Sequence, residues 1–168
     1  MIKGEDVIEN PMVELKEVMR RWPSGVAVLT SGTKEVRHGM TVSSFTSISV
    51  QPPLITVTMN NAARTKHMVD ETELFAINLL DEGQQALADR FAGRISENED
   101  RFSGLAVLSG AEFIPLLADA AAWLECRVVH RYAMPESTLY VGEVISARKS
   151  DNKPPLLYFN RGYYRICK

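Results

Sequence analysis

The sequence predicts a mainly β fold, an antiparallel barrel closed or nearly closed on itself and carrying a few short helices. β-branched and aromatic runs recur from residue 26 to residue 166, the pattern of successive strands. The helical patterns between them are short. Strands do not alternate regularly with long helices, as a parallel α/β sheet would require. A length of 168 residues suits one domain with a full core. No repeat, low-complexity tract or linker divides it, so residues 1–168 read as a single domain.

The first element is a helix. Asn10 and Pro11 form a start signal, and Leu15, Val18, Met19 and Trp22 recur on one apolar face before Pro23 and Gly25 stop it. Val26 to Thr30 then reads as a strand, with a turn around Ser31-Gly32-Thr33 and a return strand to about Val42. Pro52-Pro53 introduces the strand Leu54 to Met59. Asn61 is the expected cap of a helix over residues 62–69, and Leu74 to Leu80 is again strand. Asp81 is the expected cap of a last helix that turns Leu87, Ala88 and Phe91 inward. Residues 93–104 are polar and read as an exposed loop containing Glu97, Glu99 and Asp100. Ala120–Tyr132, Thr138–Lys149 and Leu156–Ile166 complete the strands, the last broken at Gly162.

Composition removes several function classes. A net charge of −2 leaves no surplus of Lys and Arg for nucleic-acid phosphates. No segment approaches the roughly 20 apolar residues that span a bilayer. The first ten residues carry three acids and one lysine, unlike a secretory signal. Cys126 and Cys167 lie far apart and form no CxxC, as expected of reduced thiols in a cytoplasmic protein. Three scattered histidines and no HExxH or Cys/His pair give no metal site.

The most unusual stretch is Thr41-Val42-Ser43-Ser44-Phe45-Thr46-Ser47-Ile48-Ser49, in which six of nine residues bear a hydroxyl. Strand alternation places Thr41, Ser43, Phe45, Ser47 and Ser49 on one face, unless a kink near Phe45 intervenes. Hydroxyls donate and accept without adding charge. Beside free backbone N–H groups, such a run can hold phosphate oxygens and the polar edge of a heterocycle. Downstream, Asn61-Ala62-Ala63-Arg64-Thr65 opens a helix, whose start favours an anion, and Arg64 adds a forked cation. The chemistry alone leaves two readings open: a phosphate site, or a solvent-facing Ser/Thr strand followed by an ordinary helix.

Order and spacing add to this. The chain runs Trp22-Pro23-Ser24-Gly25-Val26-Ala27-Val28-Leu29-Thr30, Gly39-Met40-Thr41-Val42-Ser43-Ser44-Phe45-Thr46-Ser47 and Gln51-Pro52-Pro53-Leu54. Then come Phe75-Ala76-Ile77-Asn78-Leu79-Leu80, Arg101-Phe102, Trp123-Leu124-Glu125-Cys126, Leu139-Tyr140-Val141-Gly142-Glu143-Val144 and Pro155-Leu156-Leu157-Tyr158-Phe159. This ordered series resembles the flavin reductase family, NAD(P)H:flavin oxidoreductases with an FMN-binding split barrel. The resemblance covers residues 18–166.

The resemblance implies a homodimer of split β-barrels with FMN or FAD near the subunit interface. It also implies NADH or NADPH as co-substrate, and a separate flavin-dependent monooxygenase that receives the reduced flavin. It places Thr41, Val42, Ser43 and Ser44 along the isoalloxazine, largely through backbone groups, and Ser47 and Ser49 nearer the ribityl chain and phosphate. Arg64 and Thr65 become phosphate contacts, and Pro23 and Ser24 lie beside the ring where the nicotinamide stacks. Phe91 is either a flavin neighbour or a core aromatic, and Arg101-Phe102 an element leaning on the flavin or the dimer partner. Hydride passes from nicotinamide C4 to flavin N5, so no catalytic side chain is required.

One departure stands out. Where many members carry Gly-Asp-His before the Leu139 strand, with a histidine associated with the nicotinamide nucleotide, this chain has Pro135-Glu136-Ser137. Two other functions fit a related barrel: a non-catalytic flavin-binding protein, and an FMN-retaining oxidase of the pyridoxamine-phosphate-oxidase-like branch. Bleaching of bound flavin by NADH or NADPH separates the reductase from a silent binder.

Overall fold

The computed structural model describes residues 11–93, 100–150 and 153–166. Its order is α1 (Pro11–Met19), β1 (Ser24–Gly25), β2 (Ala27–Gly32), β3 (Arg37–Val42), β4 (Thr46–Val50), β5 (Pro53–Asn60), α2 (Arg64–Thr72), β6 (Leu74–Leu79) and α3 (Gln85–Phe91). There follow β7 (Val107–Ser109), β8 (Pro115–Leu117), β9 (Ala122–Ala133), β10 (Ser137–Lys149), β11 (Leu157–Phe159) and β12 (Gly162–Tyr164). The expected cap Asn10, the acids Glu97 and Glu99, and Cys167 lie outside the described residues.

Seven antiparallel strands form the main sheet, in the order β3-β2-β6-β9-β10-β5-β4. Its two edge strands, β3 and β4, are consecutive in sequence and joined by residues 43–45 alone. A flat sheet of seven strands would be ~29 Å wide, whereas four Cα steps reach at most ~14 Å. The sheet must therefore curl until its edges approach. No ladder joins β3 to β4 among the described residues, so a fully closed barrel is not formed. The break at 43–45 is the kink considered from sequence. It ends the single-face alternation of Thr41 through Ser49.

Both faces of the central strands are covered. Leu29, Ile55, Val57, Met59, Phe75, Ile77 and Tyr140 fill the inner face with Val69 of α2. Val26, Val28, Leu80, Ala88, Phe91, Phe102 and Leu156 form a second cluster beneath α3. Each of the larger side chains contributes about 1.5–3 kcal/mol by leaving water. Gly142 is needed where β10 crosses Phe75, because a Cβ there would meet the ring at 2.6 Å and Cys126 Cβ at 3.1 Å. Burial pushes the Cys126 thiol up to about 12, which keeps it inert.

Several boundaries differ from the sequence reading. Ser31 and Gly32 belong to β2, and the turn is Thr33–Val36, closed by the Thr33 N–H on the Val36 carbonyl at 2.7 Å. Asn61 does not cap α2, which starts later with Ala63 at the cap position. Its amide instead donates to the Met134 and Pro135 carbonyls at 2.9 and 3.2 Å. Asp81 closes a local turn by accepting the Gly83 N–H at 2.8 Å, and Gln84 takes the cap position of α3. The β11–β12 turn is Asn160-Arg161, both at positive φ as a tight hairpin requires, and Gly162 is the first residue of β12. Within the expected loop 93–104, Phe102 is buried against Phe91. The apolar face of α1 is exposed, Leu15 at 60% and Val18 at 61%, and so is Trp22 beyond the end of the helix, at 69%.

α2 is pinned to β10 by a polar cluster. The Tyr140 hydroxyl donates to Asp70 Oδ1 at 2.7 Å, and Lys66 Nζ to Oδ2 at 2.6 Å. Burial raises the Asp70 carboxyl, but the Lys66 and Tyr140 hydrogen bonds outweigh it and hold it below its ordinary value. A depressed carboxyl contributes stability above its unfolded pKa, lost as pH falls through the folded one. Asp70→Asn is therefore expected to cost about 1 kcal/mol at neutral pH. That cost should shrink near pH ~3. Urea midpoints at both pH values measure it, and an unchanged gap would reject the assignment.

Candidate functional site

β3 is an edge strand, so backbone N–H and C=O groups on its outer side are not used by the sheet. Two clefts run along it. The first, about 220 Å³, is walled by His38, Met40, Thr41, Arg64, Thr65 and Arg101, with Phe91 and Ala92 behind. The second, about 200 Å³, is walled by Val26, Thr41, Val42, Ser43, Tyr158 and Tyr163. Thr41 and Ala92 line both, so they form one groove.

Its walls are fixed by specific contacts. The Thr41 hydroxyl donates to the Ala88 carbonyl at 2.6 Å, locking β3 to α3. Gly39 lets the Phe91 ring lie against the strand, since a Cβ would come within 2.9 and 3.0 Å of two ring carbons. Phe91 packs edge-on against Phe102 at 5.1 Å. Arg101 Nη1 donates to the Gly39 carbonyl at 3.1 Å and the Phe91 carbonyl at 3.2 Å. His38 Nδ1 lies 2.7 Å from Thr65 Oγ1. Burial lowers the His38 pKa, and Arg101 and Arg64 lower it further. The imidazole is therefore held neutral beside two permanent cations, which leaves this end of the groove suited to an anion.

The groove gathers six of the predicted residues: Thr41, Val42, Ser43, Arg64, Thr65 and Phe91. Ser24 pairs with Tyr158 in the β1–β11 ladder, at the opposite end from Arg64, with exposed Pro23 next to it. Ser44 lies in the link and donates to the Thr58 carbonyl at 2.8 Å. Ser47 and Ser49 stand on β4, opposite Ile55 and Leu54, and line neither cleft.

Sequence reasoning gave His38 no role. Its signal is positional: it stands three residues before Thr41 on the strand that carries the groove. Tyr158 and Tyr163 were also missed, since only the pairing of β11 with β1 brings them to the site. His67 is exposed and lines neither cleft. Among the described residues no cluster of His, Cys, Asp and Glu could hold a metal ion.

A sequence model described as flavin reductase like domain matches residues 19–166. The chain belongs to the flavin reductase family. It is 34% identical over 151 residues to the reductase component of 4-hydroxyphenylacetate 3-monooxygenase from Thermus thermophilus, covering 90% of this chain and 94% of that one. It is 35% identical over 155 residues to an NADH-dependent FAD reductase from Streptomyces globisporus, covering 91% and 84%. Among solved structures, the NADH:FAD oxidoreductase of Streptomyces globisporus C-1027 superposes with a TM-score of 0.89 at 31% identity, over 98% of this chain and 99% of that one.

The donor set fits a phosphorylated flavin. Edge-strand backbone beside Thr41–Ser43 suits a planar heterocycle with a polar rim. Arg64, Arg101 and the start of α2 suit a phosphate. Ser137, where the family histidine is expected, opens β10 opposite Asn60. The preceding loop is tied to Asn61, whose N–H donates to the Glu136 carbonyl at 2.9 Å. It therefore sits next to Ala62 and Ala63, which also line the first cleft.

Proposed function

We propose that this protein is an NAD(P)H-dependent flavin reductase that supplies reduced FMN or FAD to a separate monooxygenase. It works in the cytoplasm as a homodimer of split barrels. The observation that carries the reading is the groove along β3, neutral and backbone-rich at Thr41–Ser43 and cationic at Arg64 and Arg101. The relatives named above as NADH-dependent FAD reductase and as a monooxygenase reductase component support the activity.

A bound flavin would supply the redox chemistry. The residues of this chain bind and orient. Arg64 and Thr65 hold the phosphate, and β3 backbone takes the ring edge. Phe91 backs the groove, and Pro23 and Ser24 flank the open face. Positioning two planar rings in contact is the main contribution asked of such a site. The curled sheet, open between β3 and β4, supports the split barrel. The uncovered apolar residues of α1 support the second subunit, because an exposed stripe of this kind marks an interface.

A second reading, a flavin-binding protein without reductase activity, is favoured by Ser137. One experiment separates them. Anaerobic protein with FMN or FAD is titrated with NADH and NADPH, and flavin absorbance is followed. Bleaching well above the protein-free rate is expected. Bound flavin that neither nucleotide reduces would transfer the assignment to the silent binder, and no binding of either flavin would end both readings. Sedimentation of the same sample is expected to give twice the chain mass, and a monomer would remove the dimer.

A further inference from the structure

The ring end of the groove has two walls that belong to different sheets. One is β3 of the main sheet, carrying Thr41, Val42 and Ser43. The other is the pair Tyr158 and Tyr163, on β11 and β12, which form a separate three-stranded sheet with β1. β12 is the edge of that sheet, three residues long and paired on one side only. A strand so short does not fix a side chain by its own ladder. The spacing between the two walls has to be set by something else.

α3 sets it. The Ala88 carbonyl accepts the Thr41 hydroxyl at 2.6 Å, and Oδ1 of the next residue, Asp89, accepts the Tyr163 hydroxyl at 3.0 Å. Two successive residues of one helix thus hold β3 by a backbone group and β12 by a carboxylate, the stronger kind of acceptor. From Tyr163 the order passes to Tyr158. The two stand opposite each other in the ladder, edge to face, with ring centroids 5.4 Å apart and planes at 64°. On its other side Tyr158 pairs with Ser24. Asp89 itself lines neither cleft.

We propose that Asp89 is a positioning residue for hydride transfer: through Tyr163 it fixes the aromatic wall at the spacing from β3 that an isoalloxazine fills. It thereby sets how the flavin ring lies against a nicotinamide near Ser24. The proposal rests on the groove along β3 being the flavin site. Two stacked rings react only when their reacting atoms are in contact, and a displacement of about 1 Å can cost roughly 100-fold in rate. A wall that is free to swing therefore affects turnover more than affinity.

The test compares variants of the whole protein in folding, binding and turnover. Tyr163→Phe deletes one hydroxyl, and Asp89→Ala deletes its acceptor. Each is expected to lower the rate of flavin reduction at saturating nucleotide and FMN about tenfold. Each should also raise the dissociation constants of riboflavin and FMN alike, about threefold, because the ring is affected and the phosphate is not. The double variant should be no worse than either single one, since both remove the same bond. Asp89→Asn keeps an amide oxygen as acceptor and should recover most of the loss. A residue that only stabilised the fold would shift the urea midpoint and leave the rate and affinity of the folded protein alone. Folded Asp89→Ala with parental turnover and riboflavin affinity would overturn the proposal, as would losses that add in the double variant. If Asp89→Ala does not fold, Tyr163→Phe carries the same expectations. If the parent binds flavin but does not reduce it, the riboflavin affinities alone decide. If the parent binds no flavin, the flavin-site reading itself is lost, and this proposal with it.

Discussion

Replacing Asn78 by alanine is expected to destabilise the protein by about 3–5 kcal/mol, the largest effect of any single side chain outside the apolar core. Asn78 is fully buried on β6. Its Nδ2 donates to the Val28 carbonyl at 2.9 Å and to Thr30 Oγ1 at 3.0 Å, and its Oδ1 accepts the Leu117 N–H at 2.8 Å. Thr30 in turn donates to the Pro115 carbonyl at 2.5 Å. One amide thus ties β6 and β2 to the β7–β8 hairpin. Truncation removes three hydrogen bonds and strands the Leu117 N–H in a dry environment, at about 1–3 kcal/mol for the orphan alone. Melting should fall by roughly 10 °C for a domain of this size. Asn78→Leu restores the volume but not the polar partners, so it should be nearly as damaging. A leucine variant as stable as the parent would show that packing rather than the amide holds the hairpin.

That hairpin marks the limit of what the sequence discloses. β7 and β8 are three residues each, and the segment between them, Gly110 to Ile114, carries two residues at positive φ, Glu112 and Phe113. No local propensity encodes it. It exists because distant groups hold it: Asn78, Thr30, and the buried Glu125, whose Oε2 accepts the Ala111 N–H at 2.5 Å. Strands with long β-branched runs were legible, as Leu54–Met59 and Thr138–Lys149 illustrate, since each lies within an observed strand or shifts by one residue. Helix caps were not. Asn61 and Asp81 have the right chemistry for a cap, but each found a better partner, the Met134–Glu136 loop and a local turn respectively. The hydroxyl run begins on β3, the strand that walls the groove, yet the break at 43–45 sent Thr41 and Ser47 to opposite edges of the sheet. Phe102 looked like loop and is core, because the segment from Asp100 is drawn inward by Arg90, Arg101 and Phe91.

Arg64→Met should raise the dissociation constants of FMN and FAD alike by about 10- to 100-fold, the loss of one charge-assisted contact to a phosphate. The substitution keeps a long flexible side chain and good helix propensity, so α2 should persist. Arg101 is the poorer choice for this experiment, because its guanidinium also holds the Gly39 and Phe91 carbonyls and its removal would disturb the wall itself. Three comparisons give the result its meaning. Riboflavin has no phosphate, so its affinity should be the same in parent and variant. Arg64→Lys keeps the charge and loses the fork, and should recover part of the loss. The reduction rate at saturating flavin should change by less than about threefold, because a group that binds ground and transition states equally alters affinity and not turnover. Riboflavin weakened as much as FMN would mean that Arg64 acts by shaping the groove, and the anion would then have to sit elsewhere.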